Sequence, residues 1–203
     1  MNVSRSMGMG GALAVHKVGA PKVDLGWKIR NLPNLMRGWR IPIAMAFGIP
    51  TYYGKLSLRL KKADGSVVDY GVVSYRVLTT AFVELMADQL QTETSVWGDF
   101  KYHDCGTGVG AEAVGDTGMG TQATVITGDE RIAGTQIEGA TGNIYKSVAT
   151  VPFDGAGAIT EHGLFNAVRG GGTLMDRTVF AAVNVASGDS ISFSFELTCT
   201  AGG

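Results

Sequence analysis

From Lys55 the chain alternates. Leu56, Leu58 and Leu60 fall between Lys55, Ser57, Arg59 and Lys61, the two-residue period of a strand with one wet face. ADGS (Ala63–Ser66) then offers a turn, and VVDYGVVSYRVL returns as the second strand of a hairpin. The stretch TTAFVELMADQLQT predicts a helix: Phe82, Leu85, Met86 and Leu90 share a face, and Glu84, Asp88 and Gln91 lie mostly away from it. Thr79 or Thr80 can cap its start. Beyond it the pattern predicts short strands at Val96–His103, Thr121–Thr127, Ile144–Pro152, Ala158–Glu161, Leu174–Val183 and Ser190–Cys199. The last is the clearest, with Ile191, Phe193, Phe195 and Leu197 alternating with Ser190, Ser192, Ser194, Glu196 and Thr198. Seven or eight short strands, Gly-rich connections and no βαβ rhythm predict a mainly β chain, an antiparallel jelly-roll-like sandwich with one short helix.

Residues 1–52 show neither alternation nor a sustained helical period. They hold Pro21, Pro33, Pro42 and Pro50, four of the five prolines, and GWKI (Gly26–Ile29) recurs as GWRI (Gly38–Ile41). The expectation is an extended basic N-terminal arm over 1–52 and a jelly-roll-like β domain over 53–203. Irregular strands of the same domain are an equally good account of 1–52.

Charge sharpens this division. Residues 1–62 carry eleven Lys and Arg against one acid, Asp24, while the rest carries six against seventeen. Such asymmetry points to a basic arm lying on acidic protein, its own, a neighbour's or another chain's. Nucleic acid is the rival partner and an ordinary solvated surface the bland one. Charged residues are only 17% of the chain, against about 25% usually, which suits extensive buried or interface surface. The longest apolar stretch, IPIAMAFGIP, is broken by prolines and far short of the ~20 residues of a membrane span. GMGGALAVHK is too short and Gly-broken for a secretory signal, so folding in the cytoplasm is expected, with Cys105 and Cys199 reduced.

The candidate chemistry is thin. The glycine run from Gly106 to Gly120 contains no GxGxxG or GxxxxGK[ST] register and leads into no helix, so it reads as a turn-rich loop rather than a phosphate site. His103 and Cys105 could begin a metal site, but only Asp104, His162 or Cys199 could complete it, by tertiary coincidence. A Cys105–His162 nucleophilic pair lacks an elbow and an oxyanion signature. Glu161 and His162, neighbours on a strand, point to opposite faces. Thr160–Gly163 is therefore expected to end a strand, with Leu164 and Phe165 filling the core and His162 hydrogen-bonded. No catalytic, cofactor or metal residue is assigned.

The segments FVELMADQLQTETSVWGDFKYHDCGTG, EGATGNIYKSVATV, AITEHGLFNAVRGGGTLMDRTVF and VASGDSISFSFELT, in that order, resemble a family of structural proteins of tailed bacteriophages, the jelly-roll capsid decoration (cement) proteins. The resemblance covers roughly residues 50–203 and is strongest from Phe82; Cys105 stands where a small serine-like residue is expected. It implies a non-enzymatic virion protein on the outer capsid surface, assembled in the host cytoplasm, a homotrimer whose partner is the major capsid protein. It implies no cofactor; from the residues themselves no membrane partner is expected, and an arm facing acidic protein is preferred to one binding nucleic acid. Contact with the capsid is expected through the arm, with Trp27 and Trp39 as aromatic anchors among Lys28, Arg30, Arg37 and Arg40. A phage tail, baseplate or glycan-binding component is the alternative, with Tyr52, Tyr53 or Trp97 as contacts, and an enzyme using Cys105 with His103 or His162 is the third reading.

Overall fold

The computed structural model describes residues 22–76, 78–91 and 99–201. Along the chain come helices α1 (Leu25–Met36) and α2 (Arg40–Ala46), joined by a 3₁₀ turn at Arg37–Trp39. Strands β1 (Thr51–Lys61) and β2 (Val67–Arg76) precede α3 (Thr80–Gln91). Strands β3 (Tyr102–Gly106), β4 (Ile132–Ala133), β5 (Thr135–Glu138), β6 (Ile144–Pro152), β7 (Gly157–Phe165), β8 (Leu174–Val185) and β9 (Ser190–Thr200) follow. They form two antiparallel sheets, one ordered β2-β1-β9-β6-β5 and the other β4-β3-β7-β8.

The alternating strands lie where the pattern placed them. Strands β1 and β9 pair along their whole length, so Leu56 faces Phe195, Leu58 faces Phe193 and Leu60 faces Ile191. All six side chains are buried, and each phenylalanine so removed from water contributes roughly 2–3 kcal/mol. They share one core with Cys105, Ile159, Leu164, Phe180 and Val183 of the other sheet. The ADGS turn closes the β1–β2 hairpin: Gly65 takes φ +83°, a conformation glycine adopts without steric cost, and Asp64 accepts the Ser66 N–H at 2.8 Å. Thr79 is the cap of α3, accepting the Phe82 N–H at 3.2 Å and donating its hydroxyl to the Leu174 carbonyl. Phe82 is buried beneath that helix.

Several expectations are corrected. Residues 25–46 are helical, not an extended arm. Pro42 falls in the first turn of α2, where an N–H has no helical partner to lose, and Pro50 lies beyond the helix, so among the described prolines only Pro33 sits in a helix interior. Leu90 is 88% exposed and plays no part in the core. The β7 strand continues through Glu161 and His162, so that pair is not a corner, although Leu164 and Phe165 are buried as expected. Residues 121–127 form only isolated bridges, Gly106 with Gln122 and Ile126 with Phe153: their backbone bonds run to Cys105 and Thr107 at one end and to Pro152 and Asp154 at the other, too briefly at either to make a strand. The expected strand from Val96 begins at Tyr102, its first three residues lying outside the described residues.

Candidate functional site

Among the described residues two regions could hold chemistry: the polar interior of the β3–β7–β8 sheet and the helical segment 25–46.

Cross-strand pairs fix what the sheet presents. Cys105 lies opposite His162, and His103 opposite Leu164, so these four face the other sheet. Asp104 and Glu161 face away from it. On the inner side His103 Nδ1 meets His162 Nε2 at 2.9 Å, and His103 Nε2 meets Ser147 Oγ of β6 at 2.9 Å, a polar link between the sheets. Sequence reasoning offered His103 with Cys105 as the start of a metal site and Cys105 with His162 as a nucleophilic pair, and the fold brings the three onto one face of adjacent strands. Cys105 is fully buried, and burial, reinforced by the charge of Asp104, pushes its thiol well above the ordinary range. A thiol held protonated and closed to solvent is a poor nucleophile. Among the described residues no three His, Cys, Asp or Glu side chains are grouped to hold a metal. Both cysteines are free.

The outer side is an ionic centre. Glu161, fully buried, accepts backbone N–H bonds from Gly108 (3.0 Å), Thr121 (2.7 Å) and Gly120 (3.0 Å), and the Arg177 Nε at 2.6 Å. The glycine run is thus an anion cradle whose anion is the chain's own carboxylate. A Cβ at Gly106 or Gly108 would collide with the Glu161 side chain, which is why glycine stands there. Arg177 also reaches Asp116 at 3.0 Å; burial draws its pKa down, and Glu161 and Asp116 outweigh that and raise it. Asp104 binds Arg131 (3.2 Å), Arg169 (3.0 Å) and Gln122 (2.9 Å). Arg131 in turn donates to the carbonyls of Ala167, Val168 and Gly171 and lies 3.3 Å from the Phe165 ring centre. Both carboxylates are buried and supplied with donors on each oxygen. The centre ties the 107–131 and 166–173 segments onto the sheet.

The helical segment is built the other way round. Asp24 caps α1, accepting the Trp27 N–H at 3.0 Å. The inward face carries polar anchors: Trp27 Nε1 donates to the Ala181 carbonyl (2.8 Å), and Asn31 donates to the Val73 carbonyl (2.7 Å) and accepts the Ala181 N–H (3.1 Å). Val73 and Ala181 belong to β2 and β8, the edge strands of the two sheets, so α1 satisfies exposed edge groups of both. Gly38 is required here because a Cβ would sit 2.5 Å from the Tyr75 ring. The outward face carries Leu25, Ile29, Leu32, Met36, Trp39 and Ile43, all 47–69% exposed. Their spacing of four and three is a heptad seam. The 3₁₀ turn keeps the line straight, because residues three apart eclipse in it and Trp39 follows directly after Met36.

The six expected contact residues therefore divide. Trp27 is buried against its own domain, a correction to its expected role as an anchor: twelve residues separate it from Trp39, which carries the two GW tetrads to opposite faces of the helix. Trp39, Lys28, Arg30 and Arg40 are exposed, and Arg37 is ion-paired to Glu112. Tyr52 is exposed and Trp97 lies outside the described residues. The Arg131, Arg169 and Arg177 anchors were not foreseen; their only signal was a lone arginine beside glycine or a strand. No family model, curated protein or solved structure matches the chain.

Proposed function

We propose that this is a non-enzymatic structural protein of a tailed-phage virion, a decoration or cement protein that binds the outer face of the major capsid protein lattice. The observation that carries the proposal is the reversed helix, which turns asparagine inward and a seam of large apolar side chains outward. A contiguous apolar surface of this kind marks an interaction site, whereas the buried carboxylates of Glu161 and Asp104 have every oxygen engaged within the fold. The ordered segments from Phe82 onward support the phage assignment. A jelly-roll-like winding belongs to the same reading, since the first and last strands are neighbours at the centre of one sheet. So does a trimer, through which weak single contacts hold jointly. Antibody-gold labelling of source virions tests it: label spread over the head is expected, and label on the tail or on no particle contradicts it.

A groove of about 530 Å3 beside the helix, lined by Trp39, Tyr53, Tyr75, Arg37 and Arg40 among others, favours a second reading, a glycan-binding appendage. Sugars stack on such rings, and binding to a glycan array with no affinity for capsids would move the assignment there.

A further inference from the structure

We infer that the seam Leu25–Ile29–Leu32–Met36–Trp39–Ile43 is the docking site for one acidic amphipathic helix of another protein. This rests on the reading that the helical segment faces an assembly partner, and it names what that partner must present.

Three properties select the occupant. The first is geometry. A strict four-three repeat is the narrow seam of a helix pair, not the wide stripe of a helix lying on a membrane. The second is area. Six large side chains, roughly 100 Å2 apiece at these exposures, offer on the order of 600 Å2, close to the ~800 Å2 per partner of a specific interface. The third is charge. In heptad register Lys28 takes a g position and Arg40 an e position, with Lys22 and Arg30 nearby, and none of the four makes an ion pair among the described residues. Asp24, the only acid between residues 22 and 50, is engaged as the helix cap. Flanking positions of a seam decide which partner is accepted. A second copy of this chain would set like charges against each other, while a helix with Glu or Asp beside its own apolar seam would complement them.

The test uses the full chain and three synthetic probes: a helical peptide with leucine at a and d and glutamate at e and g, its lysine counterpart, and anionic phosphatidylserine vesicles. Micromolar binding of the glutamate peptide, weakening as salt is raised, is expected, with the lysine peptide at least about tenfold weaker. The double change Ile29→Ser with Met36→Ser lies on exposed positions and should weaken the complex by about tenfold or more while the circular dichroism spectrum is kept. Equal or absent binding of the two peptides would overturn the inference. Capture by vesicles without peptide binding would reassign the seam to a lipid surface. Concentration-dependent self-association in sedimentation, abolished by the double change, would reassign it to a second copy. A chain found on the head yet blind to the glutamate peptide would sink this inference alone; one that binds the peptide but is absent from virions would sink the function reading alone.

Discussion

The ionic centre and the helical segment solve opposite problems with reversed materials. Around Glu161 and Asp104, charge is inside and every acceptor oxygen has a donor from a distant part of the chain. Along residues 25–46, polar groups bind the domain and apolar groups face water. Buried ion pairs are weak evidence of net stability, but breaking one side leaves an uncompensated charge. An exposed seam is nearly neutral for the fold, and its side chains have work to do only against a partner. Stability and binding should therefore separate cleanly between the two regions.

The largest effect is expected from Glu161→Ala. It leaves Arg177 with Asp116 in place of two carboxylate partners and strands three backbone N–H groups, and should cost about 3–5 kcal/mol, read as a lowered urea midpoint or failure to fold. Asn31→Ala comes next: it removes the bonds to both edge strands and should cost about 1–3 kcal/mol. Its second signature is faster protease cleavage within residues 22–50, which a purely global loss would not localise.

A pH effect follows at Asp189, which links the β8–β9 turn to the β1–β2 hairpin through Lys62 Nζ at 2.8 Å and the Ala63 N–H at 2.9 Å. Burial pushes its pKa up, and Lys62 with the backbone donors more than reverses that, so the folded value lies below the usual carboxylate range. A group depressed on folding contributes stability that is fully present above its unfolded pKa, about 4. That contribution is lost as pH falls through the lower folded value. Asp189→Asn should flatten this acid limb and cost about 1–2 kcal/mol at neutral pH; an unchanged pH profile would contradict the linkage. The smallest stability change, within about 0.5 kcal/mol, is expected for Met36→Ser or Ile43→Ser on the seam, and a larger fall in the urea midpoint would mean that the seam packs within the fold.

How much of this was legible in the amino-acid order depends on water. Strands β1, β6 and β9 were visible because one face is wet and leaves alternation; the bounds of β6 were read without error. Strand β7 is buried from Ile159 to Phe165, covered on one side by the other sheet and on the other by the glycine loop, so no period marks it and Glu161–His162 looked like an end. Helix α1 was hidden by Pro33 within it and by the prolines on either side, although the seam spacing and the Asp24 cap were both present. The ionic centre was beyond reach, since Glu161 takes its donors from 16 to 53 residues away. The opposed directions of Glu161 and His162, however, followed from strand geometry alone.

One measurement tests the contrast most directly: a cryo-electron microscopy reconstruction of the source virion at a resolution that shows side chains. The account predicts the sandwich on the outer shell, with Leu25, Ile29, Leu32, Met36, Trp39 and Ile43 buried against a helix of a capsid subunit and the Glu161 centre remote from any contact. A particle in which that seam faces solvent while another face of the sandwich makes the contact would contradict it.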